Sequence, residues 1–286
     1  MNDIILDPKT ETLDPEILWN QFYSKTCKVQ PIEKLADPDS KKDPDCVRFV
    51  CISDTHEKLG NMLSIIPDGD ILIHAGDFTN FGDREEIIKF NDQMATLHHK
   101  YKIVIAGNHE LGFEDGEDKS LRLPKYKDRG TDKGYELLKD CIYLQDKAIT
   151  LHGIKLYGSS WHPLDGYSFS CKRGRQLAEK WSLIPTDTEI LITHTPVLGH
   201  LDDFKDKLGR RTKWGCGDLL NAVEQRIKPK VHVYGHVHEN HGLSTNSQTI
   251  FINASICNHD LQTVNMPIVF DYSLKEKRIK RNDEYK

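Results

Sequence analysis

Short apolar runs recur through the middle of the chain, and each one stops abruptly at a group of polar residues. They cover residues 47–52, 71–75, 101–106, 190–192 and 231–234. Runs of this length without polar alternation are typical of strands that are buried on both faces of a sheet. Between the second and third runs, residues 84–100 carry apolar side chains at helical intervals, which predicts a strand–helix–strand unit.

Further elements follow toward the carboxyl end of the chain. A hairpin, two helices and two last strands are predicted at residues 148–157, 172–182, 217–228, 249–253 and 268–272. Mixed strands interleaved with helices predict an α/β fold, in which two packed sheets are flanked by helices.

The two ends of the chain differ from the middle. Residues 1–45 contain five prolines and predict an extension, with one short helix near residues 17–23 that packs back onto the body. Residues 275–286 predict a charged, solvated tail. The remaining residues, 46–274, predict a single main domain.

Composition narrows the function classes. Of the 286 residues, 37% are hydrophobic and 29% are charged, and the formal net charge is −5, which argues against a general nucleic-acid binder. The seven cysteines form no C-x-x-C pair and indicate reduced thiols. Neither a signal peptide nor a membrane span is predicted, so we expect a cytoplasmic protein. The sequence leaves the oligomeric state open.

The last of the five apolar runs ends in Gly235-His236-Val237-His238. Side chains alternate along an extended segment, so the two imidazoles can point the same way, whereas on a helix they would diverge. Two imidazoles aimed together at a strand end suggest a metal site. Alone the pattern is weak, because such a pair in a loop is more often hydrogen-bonded than bound to a metal.

The ends of the other four runs strengthen the metal hypothesis. In open α/β sheets, functional groups gather beyond the carboxyl ends of the strands, and all five runs end in residues with ligand atoms. A mixture of carboxylate, amide and imidazole groups suits Mn, Fe or Zn better than Ca. The candidate metal ligands are Asp54, His56, Asp77, Asn108, His194, His236 and His238.

These ligands are enough for two divalent ions that share one carboxylate. Two ions roughly 3.5–4 Å apart clamp the attacking and leaving oxygens of a phosphoryl group and activate water near neutral pH. Each residue has an ordinary structural explanation as well: Asp54 could cap a turn, and Asn108 could occupy a left-handed turn. For all of these ordinary explanations to hold together, five independent strands would have to end in potential ligands by chance. The joint pattern therefore favours a metal site.

Five segments occur along the chain in a familiar order: Asp54-Thr55-His56, Gly76-Asp77, Gly107-Asn108-His109-Glu110, Thr193-His194 and Gly235-His236-Val237-His238. On these segments the chain resembles the calcineurin-like metallophosphoesterase superfamily over residues 46–272. It is similar in particular to the metallophosphoesterase-domain-containing proteins of the fetal-brain protein type, on segments that include Tyr157-Gly158-Ser159 and Asn253-Ala254-Ser255.

The resemblance implies both a fold and an activity. The fold is the metallophosphoesterase fold, a four-layer αββα sandwich of two mixed β-sheets flanked by helices. The activity is that of a metal-dependent phosphodiesterase, which hydrolyses small diesters such as cyclic nucleotides with a metal-activated hydroxide. The implied cofactors are two divalent ions, most simply Mn²⁺, with Fe or Zn as alternatives.

The resemblance also implies a role for each site residue. Asp54, His56 and His238 would hold the first ion, Asp77 would bridge, and Asn108, His194 and His236 would hold the second. His109 would contact the phosphate and protonate or stabilise the leaving oxygen, and Glu110 would orient His109. A carboxylate beside an imidazole suits that role, because it fixes the tautomer and raises the imidazole pKa. Asn108, His109 and His194 would bind the substrate.

Some positions depart from the related pattern or stay ambiguous. Some relatives lack one histidine of the H-x-H pair, but this chain keeps both, which predicts a competent two-metal site. Thr195 stands where a glycine is usual, and its bulk is expected to narrow the phosphate approach. Trp161 and Tyr167 could form an aromatic wall for a base, with core packing at least as good an explanation.

Three rival functions remain. A protein serine/threonine phosphatase is disfavoured because residues 76–80 are not followed by Asp-Arg-Gly. A DNA nuclease is disfavoured by the net charge. A scaffold that keeps the fold with weak or vestigial hydrolase activity is the alternative from another class, and lost ligands would favour it, but none is missing here.

Overall fold

The computed structural model of the chain describes residues 4–206 and 208–280. They form two large β-sheets, a small hairpin and helices on the outer faces of the sheets. In chain order the strands are β1 (Gln30–Ile32), β2 (Cys46–Ile52), β3 (Ile71–His74), β4 (Tyr101–Val104), β5 (Ile142–Tyr143), β6 (Lys147–Leu151), β7 (Ile154–Ser159), β8 (Ile190–Thr193), β9 (Asp203–Lys205), β10 (Arg211–Lys213), β11 (Val231–Tyr234), β12 (Gly242–Thr245), β13 (Ile250–Asn253), β14 (Ile268–Ser273) and β15 (Arg278–Ile279).

The helices are short. They are α1 (Pro8–Thr12), α2 (Pro15–Gln21), α3 (Arg84–Ala95), α4 (Arg175–Ser182) and α5 (Gly217–Asn221), which continues as a π-helix over Ala222–Ile227. Single 3-10 turns cover Tyr23–Lys25, Leu59–Asn61, Leu63–Ile65, Lys119–Leu121, Pro124–Tyr126, Gly134–Leu137 and His238–Asn240. Among the described residues, no helix combines the length and the apolar character needed to span a membrane.

Each large sheet has a parallel centre. The seven-stranded sheet has the order β1-β12-β13-β11-β8-β7-β6, and the six-stranded sheet has the order β15-β14-β2-β3-β4-β5. Strands β2 to β5 are parallel, and so are β7, β8, β11 and β13. Parallel neighbours need crossover connections, and α3, α4 and α5 lie in those connections. The carboxyl ends of the parallel strands therefore meet at one edge of each sheet.

Alternate residues of the central strands face different hydrophobic clusters. Phe49 of β2 and Ile192 of β8 belong to the cluster between the two sheets. Val50 faces the opposite way, into a cluster with Phe90 of α3, while Leu191 shares a third cluster with Trp181 of α4. The layers therefore run helix, sheet, sheet, helix. This confirms the predicted four-layer αββα fold with mixed sheets.

Helix α3 begins as its sequence indicates and ends earlier than predicted. Asp83 and Glu86 form a capping box at its start. The helix stops at Ala95, although the apolar pattern extends to residue 100. The Lys102 ammonium donates to the Met94 carbonyl at 2.9 Å and to the Leu97 carbonyl at 3.2 Å. A lysine that satisfies the last carbonyls of a helix stabilises its end.

The chain ends take a larger part in the sheets than the sequence indicates. Two helices, not one, precede residue 22, and β1 pairs antiparallel with β12 at the edge of the larger sheet. Arg278 and Ile279, predicted to be solvated tail, form β15 against β14, because Ile279 is buried against the core between the sheets. Residues 281–286 of that predicted tail lie outside the described residues. The division at residues 45 and 274 stays a prediction.

A buried ion pair joins β2 to β14. The Arg48 side chain donates to both carboxylate oxygens of Asp271, at 2.8 and 2.9 Å, and Asp271 is 0% exposed. Arg48 also donates to the carbonyls of Pro38 and Ser40, so the same side chain fastens the preceding loop. Removing one charge from such a pair leaves the other buried without its partner.

We predict that Asp271→Asn lowers the free energy of unfolding by about 3–5 kcal/mol, because Arg48 stays buried without its counter-charge. Urea unfolding followed by circular dichroism measures the change. The matched control is Asp187→Asn, which removes a salt bridge between Lys155 and an aspartate that is 71% exposed and should change stability little. Equal losses in the free energy of unfolding would show that the buried pair stabilises the fold no more than the exposed pair does.

Candidate metal centre

The site lies where the carboxyl ends of parallel strands from both sheets meet. Asp54 and His56 follow β2, and Asp77 follows β3. The remaining predicted ligands follow β4, β8 and β11: Asn108, His194, His236 and His238. Because both sheets supply ligands to one place, the site depends on the packing between them and not on a single loop.

The backbone of the ligand loops takes an unusual conformation. Four of the predicted ligands have positive φ angles: Asp54 (52°), His56 (41°), Asp77 (54°) and His236 (71°). Such angles are uncommon outside glycine, and they cluster where function requires a fixed geometry. The rest of the fold therefore holds these four side chains in directions that a relaxed backbone would not give them.

Two glycines allow the loops to approach each other. A Cβ atom on Gly107 would overlap the Asp77 carboxylate and the His194 ring. A Cβ atom on Gly235 would overlap the Asp54 carboxylate and the Ser53 side chain. The glycines of the G-N-H-E and G-H-V-H segments are thus explained by close packing of the backbone against a neighbouring carboxylate.

The side chains form three groups whose ligand atoms lie within 4.8 Å of one another. The groups are Asp54 with His56 and His238, then His56 with Asp77 and His109, and finally Asp77 with His194 and His236. Asn108 joins the last group, because its Oδ1 atom is 3.0 Å from Nε2 of His194. All seven predicted ligands are thereby brought together, and Asp77 belongs to two groups.

Hydrogen bonds fix the orientation of two ligand histidines. Nδ1 of His194 donates to the Ala75 carbonyl at 2.9 Å, and Nδ1 of His238 donates to the Asn258 carbonyl at 3.0 Å. A ring nitrogen that faces a carbonyl oxygen carries the proton, so Nε2 of each ring is left to face the site. Nε2 of His238 lies 3.3 Å from Nε2 of His56 and 3.3 Å from Asp54 Oδ1.

This donor set fits a divalent cation. Nε2 of His194 lies 3.0 Å from Asn108 Oδ1 and 3.3 Å from Asp77 Oδ2, so in the neutral ring, whose proton is on Nδ1, three lone-pair atoms converge. Nδ1 of His56 is buried without a hydrogen-bond partner among the described residues. Only a proton or a metal ion can relieve such a convergence of lone pairs in a buried place.

The pKa values of the site residues also reflect this convergence of lone pairs. Burial raises the pKa of Asp77, but the imidazoles of His194, His109 and His56 outweigh it and hold this pKa well below its usual range. Burial lowers the pKa of His194, whereas the Asp77 and Asp54 carboxylates raise it, with a net rise to about 9. Burial lowers the pKa of His56 to about 4. The carboxylates therefore attract positive charge to the centre.

His109 belongs to one of the three groups but is not one of the seven predicted ligands. It is partly exposed, while the neighbouring Asn108 is buried. Its Nδ1 atom donates to the Asn80 carbonyl at 2.6 Å, and its backbone N–H donates to Asp77 Oδ1 at 2.8 Å. Its ring meets the His56 ring edge-on at 5.0 Å. The residue thus reaches both the ligand groups and solvent.

The predicted role of Glu110 in orienting His109 is wrong. The Glu110 carboxylate is fully buried and accepts hydrogen bonds from the backbone N–H groups of Asp77, Thr79 and Gly107. The Asn80 carbonyl orients the His109 ring instead. Burial and the Asp77 carboxylate together raise the pKa of Glu110 to about 8, against the lowering effect of those hydrogen bonds. Glu110 ties the loops after β3 and β4 together.

One other expectation is also corrected, and one open alternative is decided in favour of core packing. Thr195 is 0% exposed, so its side chain does not line an open approach to the site. Trp161 donates its indole N–H to Asp146 at 2.8 Å and packs against two of the hydrophobic clusters, so it forms no wall for a base. Tyr167, by contrast, lies 5.5 Å from the His109 ring.

Several residues that hold the ligands have no predicted role. Ser255 donates to Asp54 Oδ2 at 2.8 Å, and the Asn80 and Asn258 carbonyls fix the rings of His109 and His238. Ser255 follows β13, which is parallel to β11. The rule that functional groups follow parallel strands could therefore have identified Ser255. A backbone carbonyl leaves no signal in the side-chain sequence.

Comparison with known proteins shows which family and which relatives the chain resembles. The calcineurin-like phosphoesterase family matches residues 47–240. UPF0046 protein C25E10.12 of Caenorhabditis elegans is 49% identical over 283 residues, which are 98% of this chain and 99% of that protein. Metallophosphoesterase domain-containing protein 1 of Homo sapiens is 44% identical over 254 residues, which are 84% of this chain and 76% of that protein. These matches confirm the resemblance inferred from the sequence.

A solved structure agrees on the fold. The crystal structure of TT1561 of Thermus thermophilus matches with a TM-score of 0.50 and 11% sequence identity, over 82% of this chain and 97% of that chain. At this identity the match supports the architecture alone.

We predict that Gly235→Ala weakens the binding of a divalent cation, with Mn²⁺ as the probe ion, while the protein stays folded, because the new methyl group displaces the Asp54 carboxylate. Titration calorimetry measures the binding, and circular dichroism checks the fold. Gly60→Ala is the matched control, since its methyl group would meet only the movable end of Gln93. Equal Mn²⁺ affinity in both variants would contradict the crowding argument.

Proposed function

The chain belongs to the calcineurin-like phosphoesterase family, and we propose that it is a phosphodiesterase that uses two divalent ions to hydrolyse small diesters such as cyclic nucleotides. The observation that carries this proposal is that Asp77 is the one carboxylate shared by two of the three ligand groups among the described residues. A carboxylate between two sets of imidazoles is suited to bridge a pair of ions. Mn²⁺ is the ion that we expect first, with Fe or Zn as alternatives.

The proposed ligand sets follow the geometry of the groups. Asp54, His56 and His238 would hold one ion, Asn108, His194 and His236 would hold the other, and Asp77 would bridge them. When bound, such ions polarise the phosphoryl oxygens and bring the pKa of water near neutrality. Nδ1 of His194 and of His238 keeps its proton on a backbone carbonyl, which directs Nε2 inward.

His109 is proposed as the general acid. Its Nδ1 proton is held by the Asn80 carbonyl, so Nε2 is the atom that can give a proton to the leaving oxygen. Its partial exposure lets it meet a substrate that approaches from solvent. Asp77 fixes its position through the backbone N–H of His109 at 2.8 Å. Glu110 is a positioning residue, because it holds the Asp77 and Gly107 backbone without touching the His109 ring.

The charges around the site favour a diester. Among the described residues, no lysine or arginine makes a hydrogen bond or an ion pair with any of the seven proposed ligands. A diester carries one negative charge, whereas a monoester can carry two. A ligand set without a lysine or arginine contact is what we expect for a diester, whose single charge needs fewer cationic partners than a dianionic monoester.

We expect the metal-stripped protein to hydrolyse bis-p-nitrophenyl phosphate only after Mn²⁺ is added. Asp77→Ala or His194→Ala should abolish turnover and leave the circular dichroism spectrum near that of the wild type, because each removes a proposed ligand. Elemental analysis should find two Mn²⁺ ions per wild-type chain. Asp187→Ala and His98→Ala are matched controls at exposed positions. Unchanged turnover in both site variants would remove the mechanism, whereas no turnover by the wild type with any of the three metals would favour a scaffold.

His109→Ala should lower kcat by roughly 10²–10⁴-fold while Mn²⁺ binding is kept, since a general acid contributes about that much. The loss should be greater for 3′,5′-cyclic adenosine monophosphate, because its leaving group is a ribose oxygen that would depart as an alkoxide without protonation. The p-nitrophenolate leaving group of bis-p-nitrophenyl phosphate needs little protonation. A loss that is the same for both substrates would assign His109 a structural role.

A further inference from the structure

Two chains of aromatic rings begin at the ligand histidines. One leads from His56 through His109 and Tyr167 to Tyr126, with ring centroids 5.0, 5.5 and 5.1 Å apart. The other leads from His236 to Trp214 at 5.6 Å and then to Phe204, which stacks on Trp214 at 4.0 Å with 17° between the ring planes. Phe204 is the middle residue of β9, and Trp214 directly follows β10.

The Phe204–Trp214 pair has no place in the hydrophobic core. Of the four tryptophans in the chain, Trp181 belongs to a core cluster, Trp19 packs against that cluster, and Trp161 packs against two clusters. Neither Trp214 nor Phe204 belongs to any of the three clusters, and both are partly exposed. Trp214 also makes no side-chain hydrogen bond among residues 4–206 and 208–280. An aromatic pair that is left half in water beside a metal site is better explained by a ligand than by folding.

The pair is held in place before any ligand arrives. Asn240, two residues after His238, accepts from the Asp203 N–H at 3.3 Å and donates to the Asp203 carbonyl at 2.8 Å. The Lys213 ammonium contacts Asp202 at 3.0 Å and Asp203 at 2.7 Å. The backbone N–H of Trp214 donates to the Asp202 carbonyl at 3.0 Å. The hairpin is thus fixed to the loop that carries the H-x-H ligands, and little ordering remains to be done on binding.

We propose that the Phe204–Trp214 pair is the surface on which a planar aromatic ring of the substrate stacks while its phosphoryl group lies at the ligand groups. This inference rests on the proposed function and names its substrate class, a phosphodiester with an aromatic ring in at least one of its esterified groups. Trp214 lies 5.6 Å from the proposed ligand His236, so ring and phosphoryl group belong to one small molecule. Stacking on an aromatic side chain tolerates different rings, because each presents a π-face.

The tyrosine chain is less suited to this role. Tyr126 is only 5% exposed, and the hydroxyl groups of Tyr126 and Tyr167 lie 3.5 Å from each other. These rings face one another and His109, where the leaving oxygen is expected. They serve as a comparison, because removing Tyr167 takes away a ring next to the site without touching the Phe204–Trp214 pair.

The experiment compares two phosphate ligands that differ in the ring. Titration calorimetry of the full chain with Mn²⁺ gives dissociation constants for adenosine 5′-monophosphate and for ribose 5-phosphate. Stacking of a base on an aromatic side chain strengthens binding by roughly 5- to 150-fold, so the ring-bearing ligand should bind to the wild type at least about fivefold more tightly. The ratio should fall to near one in Trp214→Leu and persist in Trp214→Phe, which keeps an aromatic face.

Tyr167→Leu is the matched control and should keep the ratio of the wild type. A wild-type ratio near one, no binding of adenosine 5′-monophosphate, or a ratio that survives Trp214→Leu would overturn the proposal. So would a ratio that is lost in Tyr167→Leu as well, since that would indicate a general disturbance. Turnover of bis-p-nitrophenyl phosphate is measured alongside: turnover without ring preference refutes only the stacking surface, and ring preference without turnover refutes the proposed function.

Discussion

The buried carboxylate of Asp77 is the constraint on which the rest of the structure depends. A charge that is removed from water is costly unless it is paired and hydrogen-bonded. The partners of Asp77 come from three other places in the chain: the His109 N–H, the His194 ring and the His56 ring. His194 follows a strand of the other sheet. Pairing the Asp77 carboxylate with these groups therefore requires the two sheets to pack so that the carboxyl ends of their strands lie next to each other.

That requirement explains where the backbone departs from ordinary geometry. Asp54 and Asp77 take positive φ angles shortly after fully buried strands. Gly107 and Gly235 leave room for the neighbouring carboxylates of Asp77 and Asp54, which a side chain at either glycine position would displace. Glu110 then closes the arrangement, since its carboxylate receives the N–H groups of two ligand loops. Such strain persists only where the surrounding structure determines it, which here is the core between the sheets.

The central strands and the convergence of the proposed ligands were predictable from the sequence because one rule acts on both. Buried parallel strands read as continuous apolar runs, and the polar residue that ends each run lies at the common edge. The hairpin of β9 and β10 was not predictable, since its residues, Asp-Phe-Lys and Arg-Thr-Lys, carry no apolar period. The same holds for β1, where Pro31 argues against a strand and an edge position tolerates it. Glu110 was assigned the wrong partner because sequence adjacency to His109 does not show which backbone groups a buried carboxylate will reach.

The proposed ligands and the proposed stacking surface are therefore fixed by different forces. The proposed ligands stand on strands whose direction is set by hydrophobic burial, so their positions follow from the core. The Phe204–Trp214 pair stands on a two-stranded hairpin, which is marginal on its own and is held by polar contacts from Asn240 and from Lys213. The Lys213 backbone N–H in turn donates to Glu16 of α2 at 3.0 Å, so the segment before the first central strand also supports the hairpin. A core-determined centre with a rim that depends on a few polar contacts lets substrate preference change without any change in the ligands.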